Sequence, residues 1–445
     1  MTMFPQTTPK ATSKVAFFCQ ISRNHRQITN KRFQSLFFLC ILDATNNYKN
    51  NNNRQICDMN FSRFVAICAT ISSFSTLVQA EPDNNIKFSL DTEAGYIDNF
   101  LFQARDEQDT AYYSLSSDLA LSSKTQQSVF NFDAQLASHF FDKFENDDHT
   151  DFTIIPKYQF KFSQNQRLHM SALWLNSYVY RGSGLSLGEA DSLSEGDENE
   201  TVGARIGYEY GTSESQGKLN FDVIYNESEF TTRRASTSQL DTEILNIKSS
   251  FDYLLSGKTY LAFDIDYKTT EYPNDAIINR DSITGLVGVK WSTTMISELS
   301  VLVGYQQLAF EDSRLSNDNA FKWQFDYTWR PSDFTTMHIV SNRKFDESYR
   351  LISSYRLAET HQIDLEHAFT DYFNIFIALG LNNESFITPQ MSQDEDYIFS
   401  TLRFNYLHSD RLSFQFSYNY KSLDANYGDV DYLYNKFGLS VKFEL

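Results

Sequence analysis

From Ile86 to the last residue the chain alternates apolar and polar positions, in segments of roughly 11 to 16 residues parted by turn-forming residues. A period of two puts successive side chains on opposite faces of a strand, so each segment predicts a strand with one apolar face. The clearest apolar faces are Phe221/Val223/Tyr225, Leu261/Phe263/Ile265/Tyr267, Leu299/Val301/Val303/Tyr305, Phe321/Trp323/Phe325/Tyr327/Trp329, Phe373/Ile375/Ile377/Leu379/Leu381 and Leu412/Phe414/Phe416/Tyr418/Tyr420. Between them fall Asn220/Asp222, Asp264/Asp266/Lys268, Lys322/Gln324/Asp326 and Gln415/Ser417/Asn419/Lys421. The pattern yields about 18 strands.

The connections alternate in length. Short turns fall near Gln164-Asn165-Gln166, Ser256-Gly257-Lys258, Thr293-Thr294, Pro331-Ser332-Asp333, Thr370-Asp371 and Ser409-Asp410. Longer acidic or Pro-bearing loops separate them, over Gly182 to Glu200, Thr232 to Leu240, Pro273 to Asp281, Glu311 to Asn319, Asn383 to Asp394 and Ser422 to Val430. A soluble sandwich has no reason to lengthen every second loop. A transmembrane antiparallel up-and-down β-barrel does, because one end carries tight periplasmic turns and the other long extracellular loops. The all-β transmembrane barrel is therefore the expected fold. Its closing strand would be the last segment, with Phe437, Leu439, Val441, Phe443 and Leu445 against lipid and Ser440, Lys442 and Glu444 in a wet lumen. Trp174, Tyr178, Tyr180, Trp291, Tyr305, Trp329, Tyr406 and Tyr420 sit near strand ends, where aromatic girdles meet the headgroups.

The front of the chain reads differently. Met59-Asn60-Phe61-Ser62-Arg63 gives a basic start, Phe64 to Val78 an apolar stretch, and Val78-Gln79-Ala80 a small-residue cleavage site, so residues 59–80 are expected to be a Sec signal peptide cut near Ala80. Residues 1–58 show no strand periodicity and are read as an upstream, disordered extension before the true start. Residues 81–445 then form a single barrel domain, with no linker and no plug domain. All four cysteines precede Glu81, which leaves the exported part without a disulfide framework or thiolate site. The net charge is −19, and because the first 80 residues carry nine Lys/Arg against two Asp/Glu, residues 81–445 stand at −26. That sign disfavours nucleic-acid binding.

Little in the sequence suggests catalysis. There is no Gly-x-Ser-x-Gly elbow, phosphate-cradling glycine loop or His-Glu-x-x-His. His139, His149, His169, His338, His361, His367 and His408 are spread over different strands, and His361 and His367, six apart on one, are too distant along it to act on one centre unaided. The chain is therefore expected not to be an enzyme and to need no cofactor or resident metal. Glu189, Asp191, Glu195, Asp197, Glu198 and Glu200 form an acidic loop that reads first as a solvated surface, with cation bridges to lipopolysaccharide phosphates as the alternative. The lumen is the more informative region: the expected lining is Asp222, Asp264, Asp266, Lys268, Lys322, Asp326, Arg330, Asp364, Glu366 and Lys421, joined by Lys218, Lys290, Arg343 and Arg403. Both signs on one inner wall make a hydrated passage, and about 18 strands enclose an aqueous channel.

Several local motifs resemble one known family. Gly95-Tyr96-Ile97-Asp98-Asn99 precedes an Asp-rich hairpin, Trp329-Arg330-Pro331-Ser332-Asp333-Phe334-Thr335 leads to Asn342-Arg343 and Glu347-Ser348, and Tyr253 to Thr259 resembles a periplasmic turn of that family. The chain is similar in these stretches to the β-barrel porin type 2 family found with exopolysaccharide and capsule biosynthesis clusters of Gram-negative bacteria. The resemblance implies an outer-membrane channel for export of a finished polysaccharide, working beside periplasmic polysaccharide secretion proteins, and it carries no catalytic residues. The expected partners are outer-membrane lipid and lipopolysaccharide, the barrel-assembly machinery, those secretion proteins and the polysaccharide itself. A general diffusion porin for small solutes and a structural or adhesive barrel are the alternatives.

Overall fold

The structure is a computed structural model that describes residues 83–292, 296–351, 353–387 and 392–445. The expected extension (1–58) and signal peptide (59–80) lie outside the described residues. Eighteen antiparallel strands follow one another: β1 (Asp83–Ile97), β2 (Thr110–Lys124), β3 (Ser128–Phe141), β4 (His149–Ser163), β5 (Gln166–Val179), β6 (Asp197–Tyr210), β7 (Gly217–Phe230), β8 (Thr242–Ser256) and β9 (Thr259–Glu271), then β10 (Arg280–Trp291), β11 (Ser297–Phe310), β12 (Asp318–Ser332), β13 (Thr335–Glu347), β14 (Tyr355–Thr370), β15 (Phe373–Ile387), β16 (Ser392–Ser409), β17 (Leu412–Ala425) and β18 (Tyr432–Glu444). Each pairs with its sequence neighbours, and β1 pairs with β18 from Ser89↔Glu444 to Ile97↔Lys436. The sheet is a closed up-and-down barrel. Closure satisfies every strand edge, which a membrane requires because lipid offers no hydrogen-bond partner.

Alternation decides which face each residue takes. Leu439 on β18 and Leu445 just past its end are 66% and 64% exposed, with Phe437, Val441 and Phe443 exposed beside them, while Ser440 is buried. The same sides of β9, β10 and β15 expose Phe263, Ile265, Ile283, Val287, Leu379 and Leu381. A wall of large apolar side chains facing outward all round is stable only against a bilayer. The inner face is fixed by contacts that skip strands, since only the lumen lets them meet: Lys290 of β10 pairs with Asp252 of β8 (2.8 Å), and Lys268 of β9 with Glu347 of β13 (2.7 Å).

Both termini of the barrel lie at the short-turn end. There the connections include 164–165, 257–258, 333–334, 371–372 and 410–411, whereas the opposite end carries 98–109, 142–148, 180–196, 231–241, 272–279, 311–317 and 348–354. Three details differ from the sequence reading. β15 and β16 run on to Ile387 and from Ser392, so most of the expected loop from Asn383 to Asp394 is a paired hairpin. The polar residues Asn382, Asn383 and Glu384 lack the apolar alternation that marks a strand inside the membrane. Arg343, expected in the lumen, stands opposite Trp323 on the outer face and pairs there with Glu359 (2.9 Å). Its guanidinium lies over the Trp323 ring, 5.6 Å from the centroid, a placement a long cationic side chain tolerates at the membrane rim. Tyr178 and Tyr180 leave the expected girdle for the loop layer, Tyr178 donating to Asp147 (2.7 Å) and Tyr180 packing edge-on to Phe100 and Phe141.

β10 and β11 approach closely through Gly288 and Gly304. A Cβ on Gly304 would stand 1.9 Å from the Gly285 carbonyl oxygen, and one on Gly288 1.8 Å from that of Val301. Gly304→Leu is expected to destabilise the barrel by about 3 kcal/mol or more, because a backbone carbonyl cannot give way as a side chain can. The check is heat-modifiable migration of the refolded barrel in electrophoresis. An unchanged unfolding temperature would contradict it.

Candidate functional site: a lined lumen and a bridged mouth

The lumen wall is built by the inward half of every strand. On β6 to β10 it is a lattice of ion pairs: Arg205 with Asp222 (2.7 Å), Lys248 with Asp266 (3.7 Å) and Lys290 with Asp252. Asp264 sits among them with one carboxylate oxygen buried and without a hydrogen bond among the described residues. Further round, Asp326 meets His338 (3.0 Å), Asp364 accepts from Gln362 (2.7 Å) and Arg330 pairs with Glu298 at the short-turn end (3.2 Å). Glu366 follows Asp364 on the same face of β14, and Lys322 is buried on β12. Most of these pairs join neighbouring strands, so the charges decorate the wall and leave the bore open.

On β14 to β18 and β1 the wall changes character. Gln362, Phe376, Phe399, Thr401, Arg403, Gln415, Ser417, Asn419, Lys436 and Glu93 line a recess of about 450 Å³. The Arg403 guanidinium lies over the Phe376 ring at 4.1 Å, and Thr401 donates to Asn419 (2.9 Å). Above it Lys421 covers the rings of Tyr397 (4.6 Å) and Tyr432 (5.9 Å). Amides, hydroxyls and aromatic faces on one rigid wall can hydrogen-bond and stack on a polyhydroxylated chain while gripping no single unit of it.

At the long-loop end the barrel is bridged. The β13–β14 hairpin turns inward: Gln306 of β11 accepts from the Phe345 amide (2.9 Å), and Arg280 of β10 donates to the Ser354 carbonyl (2.8 Å). Lys268, expected to line the lumen, is held here by Glu347. The tip reaches the far wall. Glu384 and Glu395 are directly opposed on β15 and β16 and both almost wholly buried, an arrangement of like charges that needs cations. Arg350 supplies one to Glu395 and Arg356 the other to Glu384 (2.5 Å). Tyr349 donates to Glu384 (2.5 Å), and Tyr427 of the β17–β18 loop donates to Glu395.

Charge states in this knot are well defined. Burial, reinforced by Tyr397 and the Glu384 and Glu395 carboxylates, pushes the Tyr349 hydroxyl far above its ordinary range, so it remains a donor. Burial and the bond to Glu395 push Tyr427 the same way. For Arg350 burial opposes the charge, but Glu395 outweighs it and the guanidinium is held above its usual value.

The β5–β6 loop (180–196) crosses from the other side. Asp147, wholly buried in the β3–β4 loop, anchors it by accepting from Arg181 Nε (3.0 Å), Tyr178 Oη (2.7 Å) and the Gly196 amide (3.1 Å). Leu187 packs on Leu423 and Tyr432, and Gly184 lies beside the Tyr349 ring, where a Cβ would stand 4.0 Å away in ordinary contact. The two loops therefore meet over the lumen. The acidic residues expected as one loop up to Glu200 do not converge on a common point, and Asp197, Glu198 and Glu200 already belong to β6: Asp197 is held by Arg233 Nε (2.8 Å), Asp191 by Gln103 (2.7 Å) and Glu200 by the Trp174 indole (2.7 Å).

Sequence reasoning missed Tyr349, Arg350, Glu384 and Glu395. Their signal was faint, a Tyr-Arg step in a short segment between two strands, because alternation says nothing about a loop that turns inward.

Among solved structures the chain is similar to the siderophore receptor PirA from Pseudomonas aeruginosa, at 10% identity, TM-score 0.40, and coverage of 82% of this chain and 81% of that one. It is also similar to PirA from Acinetobacter baumannii (6% identity, TM-score 0.44, 82% and 81%) and to OccK9 (OpdG) from Pseudomonas aeruginosa (11%, TM-score 0.45, 82% and 99%). No curated protein matches the chain. The family model described as "Putative beta-barrel porin 2" matches residues 85–445, the whole span of the strands but for the first two residues of β1. The chain belongs to that family and is an outer-membrane β-barrel of the porin type.

Proposed function

We propose that this barrel exports a secreted exopolysaccharide or capsular polysaccharide across the outer membrane of a Gram-negative bacterium, receiving it from periplasmic secretion proteins at the short-turn end. The recess on β14–β18 carries the reading: its phenylalanines, amides and hydroxyls offer the many weak contacts that a sliding sugar polymer needs. The bridged mouth fits the same role, since a passage wide enough for a polymer must be shut when empty. Removing residues 81–445 in the native host is expected to abolish polysaccharide in the medium and accumulate it in the periplasm. Secretion at the normal level would overturn the proposal. The double substitution Phe376→Ala/Phe399→Ala is expected to reduce secretion about fivefold, about 1 kcal/mol of lost contact.

One observation favours a second reading, a diffusion porin for small solutes. The ion-pair lattice on β6–β10 resembles a filter for small charged molecules more than a track for a polymer. Steady ionic conductance in planar bilayers together with unaltered secretion after deletion would select it.

A further inference from the structure

Seven of the chain's eight histidines follow residue 81 and look scattered, yet the fold makes two of them direct partners. His139 of β3 stands opposite His149 of β4 in the strand register, and Asp151 is two residues beyond His149 on the same face. One nitrogen of His139, one of His149 and one carboxylate oxygen of Asp151 all lie within 4.8 Å of one another. Among the described residues this is the one such group with metal-ligand chemistry.

The hydrogen bonds fix what these atoms present. His149 Nδ1 lies 2.7 Å from the Asp147 carbonyl oxygen, which can only accept, so Nδ1 carries the proton and Nε2 of the neutral ring presents a lone pair. That lone pair faces Asp151 Oδ2 at 3.9 Å, while Asp151 Oδ1 is held by the Tyr178 amide at 2.9 Å. A buried imidazole lone pair turned toward a half-buried carboxylate oxygen favours a positive species between them, either a proton or a cation. A ligating imidazole whose other nitrogen donates to a backbone carbonyl, beside a carboxylate fixed by its own hydrogen bond, is the supporting shell that orients metal ligands. His139, stacked on His149 at 4.8 Å between centroids, brings the third donor atom.

We propose that His139, His149 Nε2 and Asp151 Oδ2 bind a divalent transition metal, with zinc as the best match to two imidazoles and a carboxylate, and with the fourth position open to lumen water. Tetrahedral zinc with bonds of about 2.0–2.1 Å sets its ligand atoms about 3.4 Å apart, so the site closes by little more than an ångström through side-chain rotation. The site sits beneath the loop that carries Asp147, so the metal would brace the anchor of the β5–β6 loop. It is independent of what the lumen transports.

The test uses the refolded, untagged barrel in detergent, stripped with a chelator and titrated with Zn²⁺ by calorimetry, then loaded with Co²⁺ and read by its visible absorption. One equivalent of Zn²⁺ and a tetrahedral Co²⁺ spectrum are expected, with affinity falling at least tenfold in His139→Ala and in Asp151→Asn. Asp151→Asn keeps the side-chain shape and carries the test if the alanine variant does not fold. Less than one equivalent in the unaltered barrel, the result a bridging proton alone would give, overturns the site, as does unchanged affinity in the folded variants.

Discussion

Replacing Arg350 with alanine is expected to open the mouth of the barrel and raise its single-channel conductance several-fold. Glu395 is wholly buried, is opposed by Glu384, and takes its neutralising charge from Arg350. Removing one member of a buried ion pair costs about 3–5 kcal/mol, because the remaining charge has neither water nor partner. Here the penalty can be relieved without unfolding the barrel, since the β13–β14 tip can swing away and let water reach Glu395. At about 1.4 kcal/mol per tenfold, the closed arrangement loses about two to three and a half orders of magnitude in population relative to the open one. Planar-bilayer recording checks it, and a conductance equal to that of the unaltered chain would show that the hairpin does not obstruct the bore. Glu395→Gln is the informative companion, because it removes the charge that Arg350 serves and is expected to loosen the tip less.

The second large effect concerns the opposite side of the mouth. Asp147→Ala strips Arg181, itself nearly buried, of its carboxylate, leaves the Tyr178 hydroxyl without its acceptor and reduces the Gly196 amide to its bond with the Tyr178 oxygen. The loss is again about 3–5 kcal/mol. It falls on the β5–β6 loop, whose remaining ties are Leu187 against Leu423 and Tyr432, Ala190 packed with Phe100 and Phe141, and Asp191 held by Gln103. Limited proteolysis with a glutamate-specific enzyme is expected to cut at Glu189 or Glu195 in the variant much faster than in the unaltered chain, while the strands stay resistant. Equal cleavage rates would mean that the loop is held by those remaining ties alone.

Arg350 and Asp147 play the same role for different loops. Each network places a fully buried carboxylate against an arginine and adds tyrosine hydroxyls, so the mouth is closed by specific polar contacts over an aqueous space. Such contacts open more readily than a hydrophobic seal when a competing ligand or water reaches the charges. For a channel that carries a polymer, that is a usable latch.

The strand pattern by itself determined the barrel. Alternation of apolar and polar residues is a local property, set by the two-residue period of an extended backbone, and the bilayer rewards the same choice in every strand, so Leu261/Phe263/Ile265 and Phe437/Leu439/Val441 could be placed from their spacing alone. The alternating loop lengths fixed the two ends for the same reason. What the sequence could not decide is where alternation stops applying. Arg343 obeys the strand period but turns outward to Trp323, because strands reach beyond the lipid and a charged group is tolerated there. Glu384 and Glu395 became a buried pair only when β15 and β16 extended past the expected loop. His139 and His149 are ten positions apart in the chain and met only through the register of β3 on β4. Arg350 found Glu395, and Arg181 found Asp147, because the closed barrel brings loops from distant strands over one opening; that proximity is a property of closure, and no short stretch of sequence contains it.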